Sequence, residues 1–128
     1  MRLLLVLVLF LVGVGWAQRV PVTVFDLAPE VRLPYGTERL LLDTCEDRED
    51  AVVRCYGMRG SMNSVVNLMT LELEIAGYQL VIERPEVQDG RAVLTQAWAF
   101  PNNETLIVIY LDAPDEVRVI TGLHPDPG

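Results

Sequence analysis

The spacing of apolar residues changes character along the chain, and each change marks an element. Residues 3–14 are apolar apart from Gly13. Residues 20–25 (VPVTVF) are β-branched and extended, and Pro21 confines them to a sheet edge or a strand start. Residues 28–36 hold Pro29, Pro34 and a Tyr-Gly pair and read as a connecting loop. Residues 39–45 and 51–56 read as the two strands of a hairpin around a charged tip. Their parity about Asp50 sets Cys45 and Cys55 face to face, within reach of a disulfide.

From Ser61 the period changes to that of a helix. Ser61 is a suitable N-cap, and Met62, Val65, Val66, Met69, Leu73 and Ala76 share one stripe at 100° per residue. Gly77 is placed to end the helix as a left-handed residue. Residues 70–75 (TLELEI) also alternate with period two and could instead turn into residues 78–83. The length of the stripe and the helix preference of Leu and Glu favour the helix. Beyond Gly77 the pattern is all β, with strands expected at 78–83, 91–100, 104–111 and 117–123. Short turns make them antiparallel neighbours. Residues 124–128 (HPDPG) read as a frayed tail.

Residues 106–111 are apolar at every position, which predicts a central strand covered on both faces. In the strand before it, Val93, Ala97 and Ala99 form a small-residue face suited to a close helix. Leu94, Trp98 and Phe100 form a large-residue face suited to a second cover. Leu68, Leu71 and Ile75 make a further apolar patch on the helix, to be covered by the N-terminal segments or by association. The expected fold is a single α+β domain over residues 18–128. It has a mainly antiparallel sheet of five to six strands, one helix packed on a face, and an N-terminal disulfide hairpin.

Composition adds a compartment. Arg2, the apolar run after it, and Gly15 and Ala17 flanking Trp16 have the layout of a secretory signal peptide over residues 1–17, cut after Ala17. The run is shorter than the roughly 20 residues of a bilayer span, although retention as an N-terminal anchor is the rival reading. Export favours a single Cys45–Cys55 disulfide, worth about 2.5–3 kcal/mol for so short a loop. The formal charge is −8, and −9 once Arg2 is removed with the leader. An acidic chain of this kind disfavours nucleic acid and anionic lipid surfaces. All ten basic residues are arginine, a usage that fits a GC-rich bacterial genome and hence a secreted or periplasmic envelope protein.

Candidate chemistry is sparse. Glu46, Asp47, Glu49 and Asp50, with Asp43 nearby, concentrate carboxylates, but the alternating ligand spacing of a calcium loop is missing and Arg48 interrupts them. These residues read as a solvated hairpin tip, and no metal or cofactor is expected. His124 is the only histidine, and no nucleophile elbow, zinc-protease or phosphate-loop motif accompanies it. No catalytic residue is therefore assigned. Asn103-Glu104-Thr105 matches a glycosylation sequon at a turn.

The order strand, Gly57-Met58, helix, Ala76-Gly77-Tyr78, strands is similar in outline to PASTA domains, cell-wall-sensing extracellular modules, without their Val-Pro lead-in or Pro-Gly-Thr turn. The expected function is non-enzymatic binding by an exported protein, to another envelope protein or to a second copy. Trp98, Phe100, Leu68, Leu71 and Ile75 are the candidate interface. One alternative is a carrier of a small lipophilic ligand between helix and sheet, lined by Met62, Met69, Leu73, Trp98 and Phe100. A secreted hydrolase is a distant third.

Overall fold

In the computed structural model, which describes residues 19–42, 45, 47 and 51–124, the strands join in one antiparallel sheet. They are β1 (Arg19–Pro21), β2 (Glu38–Leu40), β3 (Val52–Met58), β4 (Gln79–Gln88), β5 (Arg91–Ala99), β6 (Thr105–Asp112) and β7 (Val117–His124). The helix α1 (Met62–Ile75) connects β3 to β4. Across the sheet the order is β1-β2-β3-β7-β6-β5-β4, every neighbouring pair antiparallel. The α+β expectation holds, but the sheet has seven strands rather than five to six. The reason is that β1 and β2 extend the same sheet through β3 instead of standing apart as a separate hairpin.

Helix α1 forms as its stripe predicts. Ser61 Oγ accepts from the Ser64 backbone N–H at 3.2 Å, which satisfies one of the free donors of the first turn. Val65, Met69, Leu73 and Ala76 are buried, and Met62 and Val66 pack beside them. Full burial of a side chain such as Val65, Met69 or Leu73 is worth about 1.5–3 kcal/mol. Gly77 ends the helix at φ +100°, where an added Cβ would also lie 3.2 Å from the Phe100 ring, so glycine is required twice over.

Register divides the sheet into two unlike faces. Tyr56 and Met58 of β3, Val117 and Val119 of β7, Leu106, Val108 and Tyr110 of β6, and Leu94 and Trp98 of β5 line up on one face. They pack with the helix stripe in a single buried cluster. The segment after β1 completes the cover: Val31 and Leu33 are fully buried in the same cluster. Tyr56 Oη donates to Asp26 Oδ2 at 2.9 Å, tying that segment to β3. Gln96 is the one buried amide of this face. Its Oε1 accepts from the Trp98 indole at 3.0 Å and its Nε2 donates to Glu83 Oε2 at 2.9 Å, pinning β4 to the core.

The two faces of β5 are the reverse of the expectation. Leu94 and Trp98 meet the core, and Val93, Ala97 and Ala99 point away from the helix. A helix and a sheet stand far enough apart that large side chains are needed to fill the layer at crystal-like density.

Cys45 and Cys55 form a disulfide with Cα atoms 5.7 Å apart. The bridge is not N-terminal, since β1 and β2 both precede it, and it does not join two paired strands. Cys45 lies in the loop after β2, its N–H donating to Leu42 O at 2.8 Å. The β2–β3 register pairs Glu38 with Gly57 and Arg39 with Tyr56, so its continuation sets Leu40 across from Cys55. Leu40, Cys45 and Cys55 make a small second cluster with Leu42.

Candidate interaction surface

The face of the sheet opposite α1 is apolar at its centre. Ile107, Ile109 and Leu111 of β6 point there, flanked in register by Ala97, Thr95 and Val93 of β5 and by Gly122, Ile120 and Arg118 of β7. Ile82 of β4 pairs with Ala97 and extends the surface to the sheet edge. Ile107, Ile109 and Leu111 are half-buried, as neighbouring strands alone would leave them, while Ile120 and Ile82 are exposed. None of the five belongs to either buried cluster. Residues 106–111 are thus covered on one face only by the described residues, where the sequence pattern predicted two. A solvated antiparallel face ordinarily alternates to polar residues; here Thr95 is the only polar residue at the centre.

Charge is confined to the rim of that face. Arg84 and Glu86 of β4 pair with Thr95 and Val93 at one side. At the other, the Arg19 guanidinium grips Glu116 with two parallel bonds, Nη1 to Oε1 at 2.6 Å and Nη2 to Oε2 at 2.7 Å. Arg118 Nε donates to the same carboxylate at 3.2 Å. This bidentate pair crosses directly over Gly57, where a Cβ would lie 2.5 Å from Glu116 Oε1. The Arg19 bond holds the Glu116 carboxyl below its usual range; burial opposes that shift and the Arg118 bond adds to it.

A second feature lies at the end of the molecule where α1 passes into β4. A cleft of about 300 Å³ opens between residues 27–31 and the Tyr78–Phe100 pair, whose rings are 4.8 Å apart and tilted by 57°. Glu30 and Glu104 line it together with Leu27 and Leu123. Tyr78 is only 7% exposed. Its phenol is raised above the usual range by burial first, then by the carboxylates of Glu104 and Glu30.

The residues singled out from the sequence scatter over the molecule. Trp98 is fully buried under the helix and Phe100 lines the cleft. Leu68, Leu71 and Ile75 are 42%, 56% and 68% exposed on the outer side of α1, not covered by the described residues before β2. Of the five residues of the suggested carrier pocket, Met69, Leu73 and Trp98 are fully buried in one packed cluster.

Of the acidic loop, only Asp47 is described, bonded to Arg54 and accepting from Val53 N–H at 3.2 Å. Asp43, Glu46, Arg48, Glu49 and Asp50 lie outside the described residues, as do residues 1–18 and 125–128. Among the described residues no group of three or more His, Cys, Asp or Glu side chains could hold a metal ion, and no helix is long and apolar enough to cross a membrane. His124 is the last residue of β7 rather than part of a tail. Asn103 stands exposed at a turn with φ +71°.

Sequence reasoning passed over Glu30, Tyr78 and Glu104, since nothing local links residues so far apart. The open face was legible in part, because Ile107, Ile109 and Leu111 occupy alternate positions of one strand. No protein-family model, curated protein or solved structure is significantly similar to this chain.

Proposed function

We propose that this chain is an exported protein of the bacterial envelope that works by binding another protein, with the open face of the sheet as its contact surface. The observation that carries the reading is the outward row Ile107, Ile109 and Leu111, which no described residue covers. An uncharged apolar centre with arginine and carboxylate side chains at its rim is the anatomy of a protein contact. Anionic lipid fits less well, because a net charge of −8 opposes approach to such a surface.

The test is a pair of lysine substitutions, Ile107→Lys and Ile109→Lys, which place charge at the centre of the face. The wild-type protein should bind a hydrophobic dye or associate in sedimentation experiments, and the double variant should do neither while keeping its circular dichroism. A wild-type monomer that binds no dye would remove the basis for this function.

A further inference from the structure

We infer that the occupant of the open face is a second copy of this chain, related to the first by a two-fold axis that runs along the strands between β5 and β6. This rests on the reading of that face as a contact surface and names its partner.

The first observation is where the bare strip begins and ends. Cys55 is the outward residue of β3 beside Ile120, and it is buried against Leu40 and its bridge partner Cys45. Farther along β3 the Arg19–Glu116 pair crosses Gly57. What the described residues leave uncovered is therefore the width of four strands, β4 to β7. Its midline falls between β5 and β6.

The second observation is that the strip is complementary to itself about that midline. Register sets its outward residues in rows across the strands. A two-fold axis between β5 and β6 lays each row over the same row of the other copy, reversed. One row reads Ile82, Ala97, Ile107, Gly122 from β4 to β7. Reversed, it sets Ile82 over Gly122 of the second copy and Ile107 over Ala97. Large side chains thus meet small ones, as in two sheets that interdigitate about 10 Å apart. In the next row the alkyl stem of Arg84 comes over Ile120, which is exposed in the single chain.

The charges obey the same symmetry. Glu86, Val93, Leu111 and Arg118 form the third row, so the acid at one end lies over the base at the other. Glu86 and Arg118 are both exposed, and Glu86 has no ion-pair partner among the described residues. Aligned sheets cross at roughly 30°, which shifts these outer columns by about 4 Å, within reach of two long side chains. A contact with an unlike protein does not require one row to carry opposite charges at its two ends. An isologous contact does, because the same patch must match itself.

The area is sufficient for a reversible dimer. Strand β6, eight residues long, spans about 27 Å, and four strands span about 19 Å. Two such strips would bury roughly 1,000 Å² in all, the low end for a specific contact.

The experiment is sedimentation velocity of the exported protein over a concentration series, with circular dichroism of every variant. The wild-type chain should pass reversibly from monomer to dimer. Glu86→Arg and Arg118→Glu should each raise the dissociation constant about tenfold, because attraction turns to repulsion at both ends of the row. An equimolar mixture of the two should dimerise as tightly as wild type, since each altered charge then meets its opposite on the other chain. Arg118 also bonds Glu116, so Gly122→Val is added as a variant that leaves the single chain undisturbed. A Cβ there meets only His124 Nε2, at 3.8 Å. It should fill the hollow that receives Ile82 and leave a monomer.

A mixture that dimerises no better than its two components would overturn the two-fold arrangement. A Gly122→Val dimer as tight as wild type would overturn this face as the interface. A wild-type monomer that still binds a hydrophobic dye would overturn the second copy as occupant while leaving the face a contact surface for a different protein. A wild-type monomer that binds no dye would overturn both readings.

Discussion

At the scale of single residues, two tyrosines of one face show how differently a buried hydroxyl can be accommodated. Tyr56 donates to Asp26, whereas Tyr110 Oη is buried with no hydrogen-bond partner among the described residues. Burial, and then the Glu83 carboxylate, push the Tyr110 phenol up, so it stays a neutral, unsatisfied group. An unmet hydroxyl costs about 1–3 kcal/mol, while a satisfied one contributes about 1 kcal/mol. Tyr110→Phe should therefore leave stability unchanged or raise it by about 1 kcal/mol, and Tyr56→Phe should lower it by about the same amount. Urea unfolding of the two variants checks this; a clear loss on Tyr110→Phe would mean the hydroxyl has a partner after all.

Glu116 gives the residue scale a pH dependence. Its folded pKa is depressed, chiefly by the Arg19 bond. The pair therefore stabilises the fold above the unfolded value, about 4.3 for glutamate, and is lost as pH falls through the lower folded value. The stability difference between wild type and Glu116→Gln should be constant near neutrality and shrink below about pH 4. A difference that grew with acidity would have the wrong sign for this pair.

At the scale of elements, the helix was the most legible part because its signals agree: cap, stripe and terminating glycine all fall where α1 begins and ends. Strand β4 was legible only in its first half. Proline supplies no ladder donor, yet β4 runs through Pro85, from Gln79 to Gln88. It can do so because β4 is an edge strand, paired only with β5. The position of Pro85 must be one whose amide slot faces away from β5, toward the free edge. There it interrupts the row of donors that an incoming strand would use, beside Glu83, Arg84 and Glu86 and beyond the irregularity between Leu80 and Ile82. These are the devices by which exposed edges avoid pairing. Pro85→Thr should consequently restore a continuous edge and raise the aggregation rate, followed by light scattering, with little change in the β5 ladder. Unaltered association at high concentration would show that the charges alone protect the edge. The face assignment of β5 was illegible for a different reason. Alternation separates two sets of residues, but which set meets the helix depends on how the β3–α1–β4 connection crosses the sheet, a property of topology that no single strand encodes.

At the scale of the whole molecule, the sheet is stabilised unevenly. The helix-bearing face holds one large cluster that spans β3, β5, β6 and β7, whereas β2 is held by three paired positions with β1, two with β3, and the small cluster of Leu40, Cys45 and Cys55. The disulfide thus carries weight where apolar burial is least, a pattern in which a covalent link compensates for a small local core. Closing a loop of sequence separation 10 should contribute about 2.5–3 kcal/mol. That contribution would be realised only in a compartment where thiols oxidise, so the bridge and the leader-like residues 1–17 make one joint claim about where the chain matures. Protein directed across the membrane should lack alkylatable thiols, begin after Ala17 by intact mass, and unfold in urea with that extra stability. The same chain kept in a reducing cytosol should show two thiols and lose protection first in β1 and β2, as read by hydrogen exchange, because the cluster around Tyr56, Trp98 and Tyr110 does not depend on the bridge. Equal stability of the reduced and oxidised forms would mean that the Leu40 cluster holds this end of the sheet unaided, and the link between sulfur chemistry and export would then have no energetic basis.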